Sequence, residues 1–361
     1  MAVLPGDGIG PEVIAEARTT LELAAELGGF AVELESFEQA GGEYLVRTGT
    51  PMATELPGRL REFDAILAGP FGDPRVDDAV VLWGTILELR QRFDQYVNLR
   101  PARSLPGVPC RLRGVDEFDV VVVRENTEGE YAGAGGRVHR AGENEVAIEA
   151  SVFTRAGIER VIRYAFDYAS THGRRRVTSA TKSNALRHAM PFWDEVFGAV
   201  AGEYPQIESD SVLVDALAAR VVSDPRSLEV IVASNLFGDV LSDLTAAASG
   251  SLGIAPSANL DPSRAHPSLF QAVHGSAPDI AGRGVANPVA EILAVALMLE
   301  FLGQADSAAA IVNAVGQGTA EVMTRTPDLG GQATTLEAGE AIRSAMVASC
   351  APRRRRARAG S

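Results

Sequence analysis

The chain has 361 residues, of which 46% are hydrophobic, enough to bury a large core and to divide into two domains. Its net charge of −14 argues against nucleic acid or an anionic membrane surface as the main partner. Two cysteines, Cys110 and Cys350, supply neither a disulfide framework nor metal-ligand spacing, and residues 1–10 lack a signal-peptide pattern, so the reading is a cytoplasmic protein.

The first predicted element is a short strand, Ala2-Val3-Leu4, followed by Pro5-Gly6-Asp7-Gly8-Ile9-Gly10-Pro11. Pro11 suits the first turn of a helix with the apolar face Val13, Ile14, Ala17, Leu21, Ala24 and Leu27, ended by Gly28-Gly29. Phe30, Val32 and Leu34 alternate as the next strand, and Asp64-Ala65-Ile66-Leu67-Ala68-Gly69 reads as a buried strand running into a loop. Alternating strands and helices predict an α/β protein with a largely parallel sheet. The glycines at 6, 8 and 10 lack the G-x-G-x-x-G spacing of a dinucleotide fingerprint, so they are read as a tight turn lining a pocket.

Residues 82–90 are helical in pattern, and the apolar strand 120–123 emerges into Arg124-Glu125-Asn126-Thr127-Glu128-Gly129-Glu130-Tyr131. Residues 132–150 read as a hairpin with its turn at 141–144, a projecting ribbon suited to clasp a second subunit. The β-branched pair Val177-Thr178 leads to a polar loop at Lys182, and residues 186–200 are helical. The buried strand 228–233 runs into Asn235-Leu236-Phe237-Gly238-Asp239-Val240-Leu241-Ser242-Asp243-Leu244. A small-residue loop at 249–258 precedes Val273-His274-Gly275-Ser276-Ala277-Pro278-Asp279-Ile280. The longest apolar run, 292–299, is far short of a membrane span. Residues 352–361 carry five arginines and read as a disordered, solvated end.

Of the 33 residues that are lysine or arginine, Lys182 alone is lysine. Arginine keeps its proton, whereas a lysine amine titrates once burial or nearby cations lower its pKa, so Lys182 is a candidate base with Tyr131 as its acid partner. Asp239 and Asp243 stand one helical turn apart and repel unless a cation sits between them. Hard oxygen ligands select Mg²⁺ or Mn²⁺, and Asp215, read as the end of another apolar strand, offers a third. Arg90, Arg100 and Arg124 fall at element ends and suit bidentate recognition of carboxylates. The substrate these groups imply is a small polycarboxylate with a hydroxyl group.

Over nearly its whole length the chain resembles the metal-dependent β-decarboxylating dehydrogenases, the isocitrate/isopropylmalate dehydrogenase family. The matching stretches are residues 5–12, Asn98-Leu99-Arg100-Pro101, 124–131, Thr181-Lys182-Ser183-Asn184, 235–244 and 274–282. Leu82-Trp83-Gly84, Phe93-Asp94-Gln95-Tyr96-Val97 and residues 125–131 bring it nearest to the tartrate/D-malate branch. The resemblance implies a two-domain, non-Rossmann, isopropylmalate-dehydrogenase-like fold with a β-hairpin dimer clasp at about residues 132–150. Residues 1–97 and 249–350 would form the NAD-binding domain, residues 98–248 the substrate, metal and dimerisation domain, and 351–361 a basic tail.

The resemblance also implies roles. Asp239 and Asp243, with Asp215 from the partner subunit of a homodimer, would bind Mn²⁺ or Mg²⁺, and a monovalent cation such as K⁺ is an optional addition. Arg90, Arg100 and Arg124 would grip the substrate, and Trp83, Thr85, Ile86 and Leu87 would line the pocket for the group on C3. Lys182, reaching across the dimer, would take the hydroxyl proton, and Tyr131 would protonate the enolate after loss of CO₂. His274, Gly275, Ser276, Ala277, Asp279 and Ile280, with Asn287 and Asn184, would hold NAD, Asp279 disfavouring the 2′-phosphate of NADP. Gln271-Ala272 depart from the Glu-Pro expected before Val-His-Gly, and Pro70-Phe71 replace a smaller pair. The implied activity is NAD-dependent oxidative decarboxylation of a D-malate- or tartrate-type 2-hydroxy acid. The alternatives are 3-isopropylmalate or another 3-substituted malate, and a non-catalytic regulatory subunit, which retention of Tyr131, Lys182 and all three aspartates disfavours.

Overall fold

The apolar runs meet in one ten-stranded sheet in the computed structural model, which describes residues 1–358. Its first strands are β1 (Ala2–Leu4), β2 (Glu35–Ser36), β3 (Ala65–Ala68), β4 (Val97–Arg103) and β5 (Asp119–Glu125). After the separate hairpin of β6 (Gly129–Val138) and β7 (Val146–Val152) come β8 (Arg176–Thr181), β9 (Glu208–Leu213), β10 (Val230–Ala233), β11 (Pro256–Leu260) and β12 (Ser268–Ala272). The order across the sheet is β2-β1-β3-β12-β11-β4-β5-β10-β8-β9. Both flanks are parallel, and the centre, β12-β11-β4-β5, is antiparallel. The strands of one flank come from the two ends of the chain and those of the other from its middle.

Helices cover both faces, which is why residues 120–123 form a valine run buried throughout instead of alternating. In the first part of the chain lie α1 (Gly10–Gly28), α2 (Gly42–Thr48), α3 (Leu56–Leu60), α4 (Asp78–Gly84), α5 (Ile86–Arg92) and α6 (Arg155–Thr171). The second part holds α7 (Ala189–Ala201), α8 (Val214–Ser223), α9 (Asn235–Ser249), α10 (Val289–Phe301), α11 (Ala305–Ala320) and α12 (Thr335–Arg358). Helix α10 is apolar nearly all round because it is enclosed, packing on α1, α11, β11 and β12. No described helix is long and apolar enough to cross a membrane.

Several elements differ from the sequence expectation. Phe30, Val32 and Leu34 pack against the core but lie outside any ladder; β2 is only Glu35–Ser36, because its sole neighbour is the short β1. The helix expected at 82–90 is broken at Thr85, whose hydroxyl donates to the Val81 carbonyl at 2.7 Å and whose φ and ψ are −129° and −92°. Strand β11 lies within the stretch read partly as loop, and β12 was not expected. Helix α12 continues to Arg358 through residues read as a disordered tail, in keeping with the high helix propensity of arginine and alanine. The rest of that tail, 359–361, lies outside the described residues.

Candidate active site

A cleft of about 580 Å³ opens beside the antiparallel centre of the sheet, a size that suits a small ligand together with part of a cofactor. Its charged floor follows from register. Strands β4 and β5 pair with Asn98 opposite Arg124, so Arg100, two residues on, shares the face of Arg124. Arg90 enters from the last turn of α5, where the helix dipole favours a cation. All three guanidinium groups line the cleft from buried residues.

The acidic side comes from α9, which begins two residues after β10. Gly238 lets this helix close on β5: a Cβ there would lie 2.6 Å from Cβ and Cγ of Arg124. Arg124 donates to Asp239 Oδ1 at 2.6 Å and, through Nε and Nη2, to Asn235 Oδ1 at 3.1 and 2.7 Å. Arg100 Nη1 donates to Ser242 Oγ at 2.8 Å and lies 3.2 and 3.1 Å from Asp239 and Asp243. The positive group between the two aspartates within one chain is therefore Arg100. Tyr131 donates its hydroxyl to Asp239 Oδ2 at 3.1 Å, and its ring lies 5.5 Å from the Arg124 guanidinium carbon.

Charge in this cluster is unbalanced. No carboxylate pairs with Arg90 among the described residues, and its buried Nε has no acceptor. Burial, then Arg124 and Arg100, push the Arg90 guanidinium well below its usual pKa. Burial and Arg100 bring Arg124 down to about 10. Burial works to raise the Asp239 pKa, but Arg124, Arg100 and Arg90 together hold it below the usual value. Burial, then Asp239, raise the Tyr131 hydroxyl, which keeps its proton available for donation. An anion between Arg90 and its neighbours would relieve the repulsion.

From α4 and α5 the cleft is also lined by Leu82, Ile86 and Leu87, beside Thr85 and Asp78. Trp83 is not among the lining residues. Helical rotation turns it away from Leu82, and its ring reaches β6, where a Cβ on Gly133 would lie 2.9 Å from it. A third wall is residues 271–276. Gly8 fits closely beneath it, since a Cβ there would lie 2.0 Å from the Ser276 carbonyl oxygen, and Ile9 N–H donates to that same oxygen at 2.8 Å. Ala277 and Ile280 pack on Ile9 and Val13, Asp279 is exposed, and Asn287 is held by Asp328 at 3.0 Å.

Lys182 and Asp215 do not line this cleft. Strands β8 and β9 end in register, Thr181 opposite Leu213, and the residues just beyond form an ion pair of Lys182 with Asp215. That bond lowers the Asp215 pKa. Asp215 thus opens α8 and does not end a strand, and Asn184 is exposed in the turn after Lys182. Sequence reasoning passed over Glu130, which accepts from Ser234 Oγ and Leu236 N–H at the start of α9, and Asn235, which orients Arg124. The only sequence signal for either was its place in a polar stretch following a buried strand. A second cavity of about 260 Å³, between α10 and α11, is mainly apolar and gathers no comparable set.

The family described as isocitrate/isopropylmalate dehydrogenase matches residues 1–342. The chain belongs to that family. It is 50% identical to a D-malate dehydrogenase [decarboxylating] of Escherichia coli (strain K12), over 95% of this chain and 97% of that protein. It is 49% identical to a tartrate dehydrogenase/decarboxylase of Pseudomonas putida, over 95% of this chain and 96% of that one. The crystal structure of an isocitrate dehydrogenase from Methylococcus capsulatus superposes with a TM-score of 0.88 at 37% identity, covering 96% of this chain and 98% of that one. These likenesses support a decarboxylating dehydrogenase with the family's fold.

The family's cofactors can be tested against the residues present. The described residues of one chain contain no group of three or more metal-ligating side chains. Asp239 and Asp243 are a pair on one helix face and Asp215 stands apart, so within one chain two carboxylates could serve a hard cation, with water, substrate or a further carboxylate needed to complete its shell. At the third wall His274 Nε2 is buried without a partner and a Cβ on Gly275 would meet nothing within 4 Å, so these residues leave a polar atom and open space for a cofactor.

Proposed function

We propose that this protein is an NAD-dependent oxidative decarboxylase of a D-malate- or tartrate-type 2-hydroxy acid, working as a homodimer that shares its active sites. The observation that carries this reading is the buried, unpaired Arg90 beside Arg100, Arg124, Tyr131 and Asp239, a constellation built to receive a small dianion next to a proton donor. Arg90, Arg100 and Arg124 bind and orient the two carboxylates. Lys182 of a second copy takes the C2 hydroxyl proton as the C2 hydride leaves, giving the 2-oxo acid. After the β-carboxylate departs as CO₂, the Tyr131 hydroxyl protonates C3 of the enolate.

Mg²⁺ or Mn²⁺, held by Asp239, Asp243 and an Asp215 from the other copy, would supply Lewis-acid polarisation of the C2 oxygen. NAD⁺, seated along residues 274–280 and near Asn287, would supply the hydride acceptor. The exposed carboxylate of Asp279 supports NAD over NADP. The apolar side chains of Leu82, Ile86 and Leu87 favour a second reading, a malate carrying an alkyl group on C3.

The test is NAD⁺ reduction with Mn²⁺ present, across D-malate, the tartrates, 3-isopropylmalate and isocitrate. Turnover of D-malate or tartrate is expected. Turnover of 3-isopropylmalate alone would move the protein to the second reading, and silence on the whole panel would overturn both.

A further inference from the structure

Strand β12 outlasts its neighbour. Its parallel register with β3 runs Ser268 to Ala65, Leu269 to Ile66 and Phe270 to Leu67, and β3 ends one residue later at Ala68. On the other edge, Val273 N–H continues the contact with the β11 side by donating to the Ala255 carbonyl at 3.0 Å. Successive amides of a strand point to opposite edges, so Ala272 N–H faces the edge that β3 has left. A buried amide there needs an acceptor from elsewhere.

The acceptor is a side chain. Glu291, in the first turn of α10, takes the Ala272 N–H on Oε1 at 3.0 Å. Glu291 is fully buried, its Oε2 has no partner, and no cation pairs with it among the described residues. Burial raises its carboxyl to about 8. An isolated carboxyl in an apolar helix is costly, and the hydrogen bond it makes is to the residue where β12 becomes the third wall of the cleft.

We infer that Glu291 is a positioning residue: its carboxyl anchors the Ala272 amide, and with it the 271–276 wall of the cleft, to the first turn of α10. The kinetic consequence rests on the proposed seating of the dinucleotide against that wall; the amide-exchange consequence does not.

Two variants test it: Glu291→Leu removes the acceptor and Glu291→Gln keeps one. In Glu291→Leu, hydrogen exchange at the Ala272 amide should quicken about tenfold or more, and at Val273 much less. KM for NAD⁺ should rise roughly fivefold with kcat changed by no more than about twofold, while Glu291→Gln stays near wild type. Unchanged exchange at Ala272 in Glu291→Leu would overturn the inference. Faster exchange with unchanged KM for NAD⁺ would leave the anchor standing and overturn the seating of the dinucleotide. Should Glu291→Leu fail to fold, Glu291→Gln decides: an Ala272 amide that exchanges as slowly as in wild type supports the anchor, and one that quickens about tenfold overturns it.

Discussion

Arg90 is buried beside two other arginines with no carboxylate of its own, an arrangement that lowers stability and leaves a site for an anion. Arg90→Met should therefore melt at or above the wild-type temperature while kcat/KM for the hydroxy acid falls about 10–100-fold, as expected for losing charge-assisted hydrogen bonds worth ~1.5–3 kcal/mol. Thermal melts and steady-state kinetics on one preparation check both halves, and a variant that loses stability in step with activity would contradict the argument. Glu291 makes a prediction in pH. Its folded pKa of about 8 lies above the ordinary carboxyl value, so between the two the folded state holds a proton that the unfolded state has lost. Stability from this group therefore declines as pH rises from ~4.3 toward 8 and is level above that. Glu291→Gln removes the slope: melting curves of the two proteins should coincide near the acid end and separate by pH 8, with the variant the more stable. Arg90 is one arginine among many in the sequence, and only its place at the end of a helical stretch and the family resemblance single it out. Glu291 immediately precedes the apolar run 292–299 and carries no signal of its own, because nothing in the sequence says that the first turn of α10 meets the end of β12.

Among the elements, the junction of α9 with β5 depends on Gly238. Without a side chain there, Arg124 reaches Asp239 and Asn235; a methyl group would meet the Arg124 side chain at 2.6 Å. Gly238→Ala should lower stability by about 1–3 kcal/mol, the usual range for overpacking, and should reduce activity further by displacing Arg124. Denaturant unfolding measures the first effect, and an unchanged midpoint would show that α9 can shift without penalty. The elements themselves were read well where periodicity and burial agree, as in α1, β3, β5 and β10. They were misread where pairing overrides composition. Pro256-Ser257-Ala258 look like the end of a loop, yet they and the following Asn259 and Leu260 are all buried, because β12 and β4 pair with this stretch on both sides. Phe30, Val32 and Leu34 alternate like a strand, yet β1 is too short to continue a ladder along them. The break at Thr85 separates α4 from α5, and within α4 Leu82 lines the cleft while the Trp83 ring lies against Gly133 of the hairpin.

At the scale of the molecule, one chain divides the proposed chemistry. Arg90, Arg100, Arg124 and Tyr131 share a cleft, whereas Lys182 and Asp215 pair with each other outside it. The hairpin meanwhile exposes Val138, Val146, Ile148 and Val152, the last three on a strand exposed along its whole length. Apolar side chains on a projecting ribbon are suited to meeting another copy of the same ribbon, and a two-fold contact would bring the same surface from each subunit. If Lys182 serves the other subunit's cleft, defects in the cleft and at Lys182 must complement. Lys182→Arg keeps a cation for Asp215 but no amine that titrates, and Arg100→Met empties the cleft of a carboxylate ligand, so each homodimer should be inactive. In a mixed dimer, the Lys182→Arg subunit still offers an intact cleft and the Arg100→Met subunit an intact Lys182. One of the two sites is whole. Unfolding and refolding equal amounts together should restore roughly a quarter of wild-type activity, since random pairing makes half the dimers mixed and half of their sites complete. If Lys182 instead acts on the cleft of its own chain, every site in the mixture carries a defect and no activity returns.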